Sequence, residues 1–228
     1  MMGLPFAASL RALRRPGTAF ALPPPGLGRA VWDMVRVWIP LALVNAVWTT
    51  QRALEAYGSI RSGAVSPHLL GWFGVDPADL REMLAALPPP PALGRIWPWL
   101  ILAVPLGVLG TWIHHAVWDH TALWLLGGLK GRRGFRTSLG AEAEALRFAA
   151  AGTLLHLLGF IPGLGSVLAL PLLMLDGYLW LFRGFALAAR HGCEPWRGMA
   201  ATVVHAVLLG GCTLGLCFLM LALVRMGA

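Results

Sequence analysis

Residues Met199–Val224 read MAATVVHAVLLGGCTLGLCFLMLALV, twenty-six residues with no charge and a single histidine, His205. As a helix rising 1.5 Å per residue this stretch is about 39 Å long, more than the roughly 30 Å hydrocarbon core of a bilayer. A helix on the surface of a soluble protein keeps a polar face, and this one has none, so its surroundings are apolar on every side. The whole chain has the same character. Of its 228 residues 57% are hydrophobic and 12% are charged, with a mean hydropathy of +0.69. Soluble domains are about one quarter charged, so a disordered chain and an ordinary soluble globule are both excluded.

Working outward, four more spans follow. Trp97–Trp118 is uncharged for twenty-two residues, and apolar character resumes after Asp119-His120 at Thr121–Leu129. Ala145–Ile161 and Leu164–Phe182 pair across a Pro162-Gly163 turn. Val31–Thr50 is weaker because it holds Asp33 and Arg36, but residues three apart on a helix can pair. The expected fold is therefore all-α, a polytopic membrane bundle of five helices.

The basic residues orient it. There are 18 of them against 10 acidic ones, and all but Lys130 are arginine. Counted by alternate connections, thirteen fall on one side and five on the other. The rich side includes Arg11, Arg14, Arg15, Arg29 and Arg36, then Lys130 to Arg147, then Arg183, Arg190 and Arg197. Basic connections stay in the cytoplasm, which puts the N-terminus inside and the C-terminus outside. The organisation expected is a cytoplasmic segment 1–30, a first span 31–50, an external loop 51–96 and a four-helix core 97–228. In the loop, Asp76-Pro77 reads as a cap and first turn, with Leu80, Met83, Leu84 and Leu87 as one apolar face and Pro88–Pro91 as a stiff spacer.

The net charge of +8 does not indicate nucleic acid, because the arginines are dispersed between spans rather than gathered in one stripe. The partners expected are the lipid bilayer and either a protein or a second copy of the chain. Arginines 11, 14 and 15 suit an anionic inner leaflet. They also interrupt the first apolar stretch, so the N-terminus does not read as a cleaved signal peptide, and the first span is expected to be a signal anchor. Arginine-, alanine- and glycine-rich usage points to GC-rich bacterial coding, hence an inner membrane. Cys193, Cys212 and Cys217 form no CxxC pair and read as free thiols.

A set of short motifs carries a resemblance. They are His120-T-A-L-W-L-L-Gly127-Gly128, Phe135-R-Thr137, Phe160-I-Pro162-G-L-Gly165, Arg183-Gly184 and His191-Gly192, with Arg15-Pro16-G-T-A-Phe20 and Leu22-Pro23 near the start. In order and spacing this resembles the Yip membrane-protein family in its bacterial form, over 97–224 and more loosely over 11–50. Phe148 stands where the family usually has tyrosine, and Gly152 where it often has proline. The resemblance implies a five-span bundle with a cytoplasmic N-terminus and transfers no catalytic residue. Eukaryotic members are linked to vesicle traffic and small GTPases, a role not carried over here.

Ionisable residues within spans are site candidates by default. Counting from the cytoplasmic helix ends puts His120 about 12 Å deep, Asp176 about 10 Å, His205 about 9 Å and His156 about 16 Å. His120, Asp176 and His205 are thus expected at one depth, with His156 less well matched. Two readings stand open: a metal, haem or proton site, or a polar contact that fixes helix order. His115 and Asp119, four apart, can pair along their own helix. Gly211-xxx-Gly215 is expected to permit close helix approach. No P-loop, HExxH, nucleophile elbow or dinucleotide fingerprint is present, so neither catalytic residues nor a cofactor are expected, and the function expected is a non-enzymatic scaffold or interaction protein. A small channel or transporter, or an intramembrane metal or haem protein, is the alternative.

Overall fold

A computed structural model describes residues 5–62, 82, 86–129, 133–161 and 163–227, and among them every regular element is a helix. In chain order these are α1 (Pro5–Arg14), α2 (Pro16–Ala19), α3 (Leu27–Arg61), α4 (Leu93–Leu125), α5 (Phe135–Thr153), a 3₁₀ segment (Leu154–Phe160), α6 (Leu164–His191) and α7 (Pro195–Gly227). Four of them, α3, α4, α6 and α7 as far as Met220, are long and apolar enough to cross a membrane. The external helix expected over 76–87 falls almost wholly outside the described residues, as do Pro162, Lys130 and Arg132.

The bounds differ from expectation in three places. The first span is part of a 35-residue helix that stays helical through Arg61, well into the stretch read as a loop, with Pro40 inside it. The helix around Trp97–Trp118 continues unbroken through Asp119-His120 to Leu125. The third span is not one α-helix, because α5 narrows to a seven-residue 3₁₀ run after Gly152-Thr153. Both residues are weak helix formers, and a 3₁₀ stretch of that length is uncommon.

A fourth difference concerns charge. Arg183 and Arg190 do not lie in a connection: α6 runs on to His191 and buries both. Its stop is Gly192, at φ +71, whose N–H bonds to Ala188 O at 2.8 Å, with Cys193 N–H following to the same carbonyl. Glycine alone reaches that left-handed angle without steric cost, so the helix ends there and not at Gly184. At the other end of α6, Gly163 at φ +81 turns the chain back from the 3₁₀ segment.

The chain divides into two compact units, residues 1–38 with 107–228, and residues 39–106. In the smaller unit Tyr57 Oη donates to Pro88 O at 2.9 Å and Arg61 Nε to Leu87 O at 2.8 Å, holding the start of the proline run against α3. In the larger unit burial concentrates in residues 112–123, 138–152, 179–191 and 198–205, whereas 164–178 and 206–220 expose apolar side chains such as Val167, Leu173, Leu216 and Phe218. One end of the bundle is therefore tightly packed, and the other offers an oily surface.

Small residues and indoles set that packing. A Cβ added at Gly184 would come within 2.5 Å of Met199 N, and one at Gly198 within 2.8 Å of Ala188 Cβ. This is the close crossing of α6 with α7. Gly211 and Gly215, where close approach was expected, have nothing within 4 Å, because they lie on the exposed stretch of α7. Trp38 Nε1 donates to Leu146 O at 2.6 Å, Trp112 Nε1 to Leu139 O at 2.9 Å and Trp180 Nε1 to Thr202 O at 2.6 Å, each joining two helices. Arg197 caps α4 from α7, its NH1 donating to Leu126 O at 3.0 Å and Gly127 O at 2.9 Å. A cation there suits the negative end of the helix dipole.

Candidate functional site

The most completely buried polar group of the larger unit comes from four helices: Asp119 (α4), Glu142 (α5), Arg183 (α6) and His205 (α7). Their side chains are at most 3% exposed. Arg183 Nε donates to Glu142 Oε2 at 2.9 Å and its NH2 donates to Asp119 Oδ2. His205 Nδ1 lies 2.7 Å from Asp119 Oδ1. The guanidinium also covers the Trp180 ring, 4.4 Å from its centroid. Around His205 stand the rings of His114 at 5.3 Å, His115 at 5.5 Å, Trp180 at 5.2 Å and a stacked Trp118 at 6.1 Å.

Two carboxyl groups share one guanidinium. Burial pushes the Glu142 carboxyl up to about 8, with Arg183 opposing and Asp119 reinforcing the rise, so the pair favours holding a proton when folded. Charge removed from water at this depth persists only when so paired.

A second cluster holds Ser138 (α5) between two imidazoles. Ser138 Oγ is 2.8 Å from His120 Nδ1 and 2.8 Å from His191 Nε2. A hydroxyl can donate to one ring while accepting from the other. Among the described residues His191 Nδ1 has no hydrogen-bond partner, so none of their carboxylates orients that imidazole as a nucleophilic triad requires. A third, Arg190 with Glu144, is bidentate at 2.9 and 2.7 Å, and Arg190 NH1 also bonds the carbonyls of Phe20 at 3.2 Å and Leu22 at 2.7 Å. That arginine ties the segment after α2 to the packed end.

The residues expected at one depth do not converge. His205 joins Asp119, His120 joins Ser138, and Asp176 pairs instead with His156, Nε2 to Oδ1 at 2.8 Å, at a partly exposed position. Counting along a helix says nothing of rotation about its axis: neighbours point about 100° apart, so Asp119 meets Arg183 and His205 where His120 meets Ser138 of α5. Asp176 lies two turns, about 10 Å, from Arg183 and nearer the hairpin. Nor does Asp119 pair with His115 along α4. Among the described residues no group of three or more His, Cys, Asp or Glu side chains is arranged to hold a metal ion.

Sequence reasoning missed Glu142, Glu144, Ser138, Arg183, Arg190 and His191 as site residues. One signal was present: Glu142 and Glu144 stand in an alanine-rich helix whose nearest basic residues, Arg136 and Arg147, are not their partners. No protein-family model, curated protein or solved structure matches the chain.

Proposed function

We propose that this chain is a non-enzymatic, multi-pass protein of a bacterial inner membrane, of the Yip type, working as a scaffold or protein-interaction component. The observation that carries this reading is the buried clamp of Asp119, Glu142 and Arg183. One guanidinium bonds both carboxyl groups and joins α4, α5 and α6, as expected of a group that fixes helix order, while Glu142 Oε1 and Arg183 NH1 have no hydrogen-bond partner among the described residues. The likeness to the Yip family rests on the motifs quoted above.

The five-span, N-inside topology belongs to the same proposal. It is supported by the arginine asymmetry, eleven to five once the buried Arg183 and Arg190 are set aside, and by the length of the segment that ends at the hairpin. Ala145–Phe160, nine α-helical and seven 3₁₀ residues, is about 27 Å long, close to a bilayer core. Reporter fusions at the two termini should report opposite compartments; the same compartment for both would end that topology. Cross-linking in intact membranes, then purification in mild detergent, should return a stoichiometric partner or a homo-oligomer. A chain always alone and monomeric would refute the scaffold role.

A second reading, a proton pathway, has one observation in its favour: among the described residues His115 Nδ1 and His205 Nε2 are buried without hydrogen-bond partners, on rings 5.5 Å apart. Reconstituted vesicles would then carry a proton flux that Asp119→Asn abolishes, and no flux above empty vesicles would dismiss it.

A further inference from the structure

Asp33 on α3 is a single buried carboxylate ringed by three guanidinium groups. Arg147 NH1 from α5 is 3.3 Å from Oδ2, Arg29 Nε 3.4 Å from Oδ2 and Arg36 NH2 3.6 Å from Oδ1. The group carries a net charge of +2. The side chains of Arg29 and Arg36 are 74% and 62% exposed, against 9% for Asp33, so each uses one edge on the carboxylate and turns the rest outward. Arg147 is held in place from the other side, its guanidinium 4.3 Å above the Phe148 ring.

Beside these arginines a groove of about 310 Å³ opens between α1, α3 and α5. Asp33, Arg36 and Arg147 line its charged part, and Val37, Phe148, Ala151 and Leu154 form much of its apolar wall. Ala151 and Leu154 follow Arg147 at four and seven residues, so the wall continues along one stripe of the helix toward the 3₁₀ segment. On the membrane reading above, which this inference rests on, the arginines sit toward the cytoplasmic leaflet and the stripe runs inward.

The geometry points to a binding site for one anionic glycerophospholipid, its phosphate diester on Arg36 and Arg147 and the start of an acyl chain along Val37, Ala151 and Leu154. Guanidinium groups match phosphate oxygens in two-pronged hydrogen bonds, and among the described residues Asp33 offsets only one of the three positive charges. Basic pockets between helices on the cytoplasmic side are where anionic headgroups bind. A free phosphate shares the first half of this recognition but makes no use of the apolar wall, and a zwitterionic lipid offers its phosphate together with a repelling cation.

Native mass spectrometry of the full chain, taken from nanodiscs of equal phosphatidylglycerol and phosphatidylcholine, should show one retained phosphatidylglycerol, preferred at least tenfold. Arg36→Gln, a change at an exposed side chain that leaves Asp33 its other two partners, should reduce that preference at least threefold. Arg36→Gln with Arg147→Gln should abolish it, and Arg147→Lys should preserve part of it. Equal retention of the two lipids, or unchanged preference in folded Arg36→Gln, overturns the site. Inorganic phosphate at millimolar concentration raising the melting temperature as much as phosphatidylglycerol does would overturn the lipid assignment in favour of a free anion. A chain that dissolves without lipid or detergent would defeat the membrane reading itself, whereas a membrane-embedded chain indifferent to headgroup charge defeats only this inference.

Discussion

Arg183→Met is the most informative single perturbation of this protein. The substitution keeps an unbranched apolar stem but removes the only cation that the clamp places between Asp119 and Glu142, both wholly buried. Two magnitudes compete. If Arg183 contributed an ordinary hydrogen bond between membrane helices, its loss would cost about 0.6 kcal/mol. If instead it balances a buried carboxylate, removing it strands that charge, and the cost is roughly 3–5 kcal/mol. The structure favours the larger value, because Asp119 keeps only His205 as a partner. Unfolding in mixed micelles by increasing dodecyl sulfate, followed by tryptophan fluorescence, reads the difference directly. Trp180, one of eleven tryptophans that contribute to the signal, lies against the guanidinium. The triple variant Arg183→Met with Asp119→Asn and Glu142→Gln removes the charges together and should recover most of the loss. A cost below about 1 kcal/mol for Arg183→Met would refute the clamp, since that is the range of exposed pairs.

The remaining predictions use the same unfolding measurement. Glu142 holds its proton more tightly when folded, up to about 8 against an ordinary 4.5, so the native chain binds more protons than the unfolded one in that window. Stability should therefore fall as pH rises from about 4.5 to about 8, and Glu142→Gln should flatten the profile; a slope unchanged in the variant would assign it elsewhere. Gly198→Val should disrupt the α6–α7 crossing and lower yield of folded protein, whereas Gly211→Ala should leave monomer stability unchanged or raise it by up to about 1 kcal/mol through helix preference, since its added methyl meets nothing among the described residues. The reverse order would mean that α7 packs through its exposed stretch instead. Trp112→Phe keeps the ring but loses the bond to Leu139 O, at a cost of about 1 kcal/mol; a neutral result would show that the bond does not hold α4 to α5.

The oily helices were legible residue by residue. Whether a helix is long and apolar enough to cross a membrane depends on the summed transfer of each side chain from water, a property that needs no knowledge of neighbours, and Met199–Val224 meets that measure on sequence alone. The Asp33–Arg36 pair was legible for a related reason: residues three apart on one helix meet whatever else the chain does. Helix ends were harder. The expected span stopped at Phe182, whereas α6 runs through Gly184, which lies against Gly198 and Met199 of α7, and ends at the left-handed Gly192.

What only the tertiary structure decided is which polar residues meet. Depth along each helix follows from counting, but rotation about its axis and the order of helices around the bundle do not, since both depend on packing between segments distant in the chain. His120 and Asp119 are adjacent in sequence yet belong to different clusters, and Arg183 reaches a partner 64 residues away and another 41 away. Composition determined the solvent of this protein; the close approach of glycine to backbone, and of guanidinium to carboxylate, determined its interior.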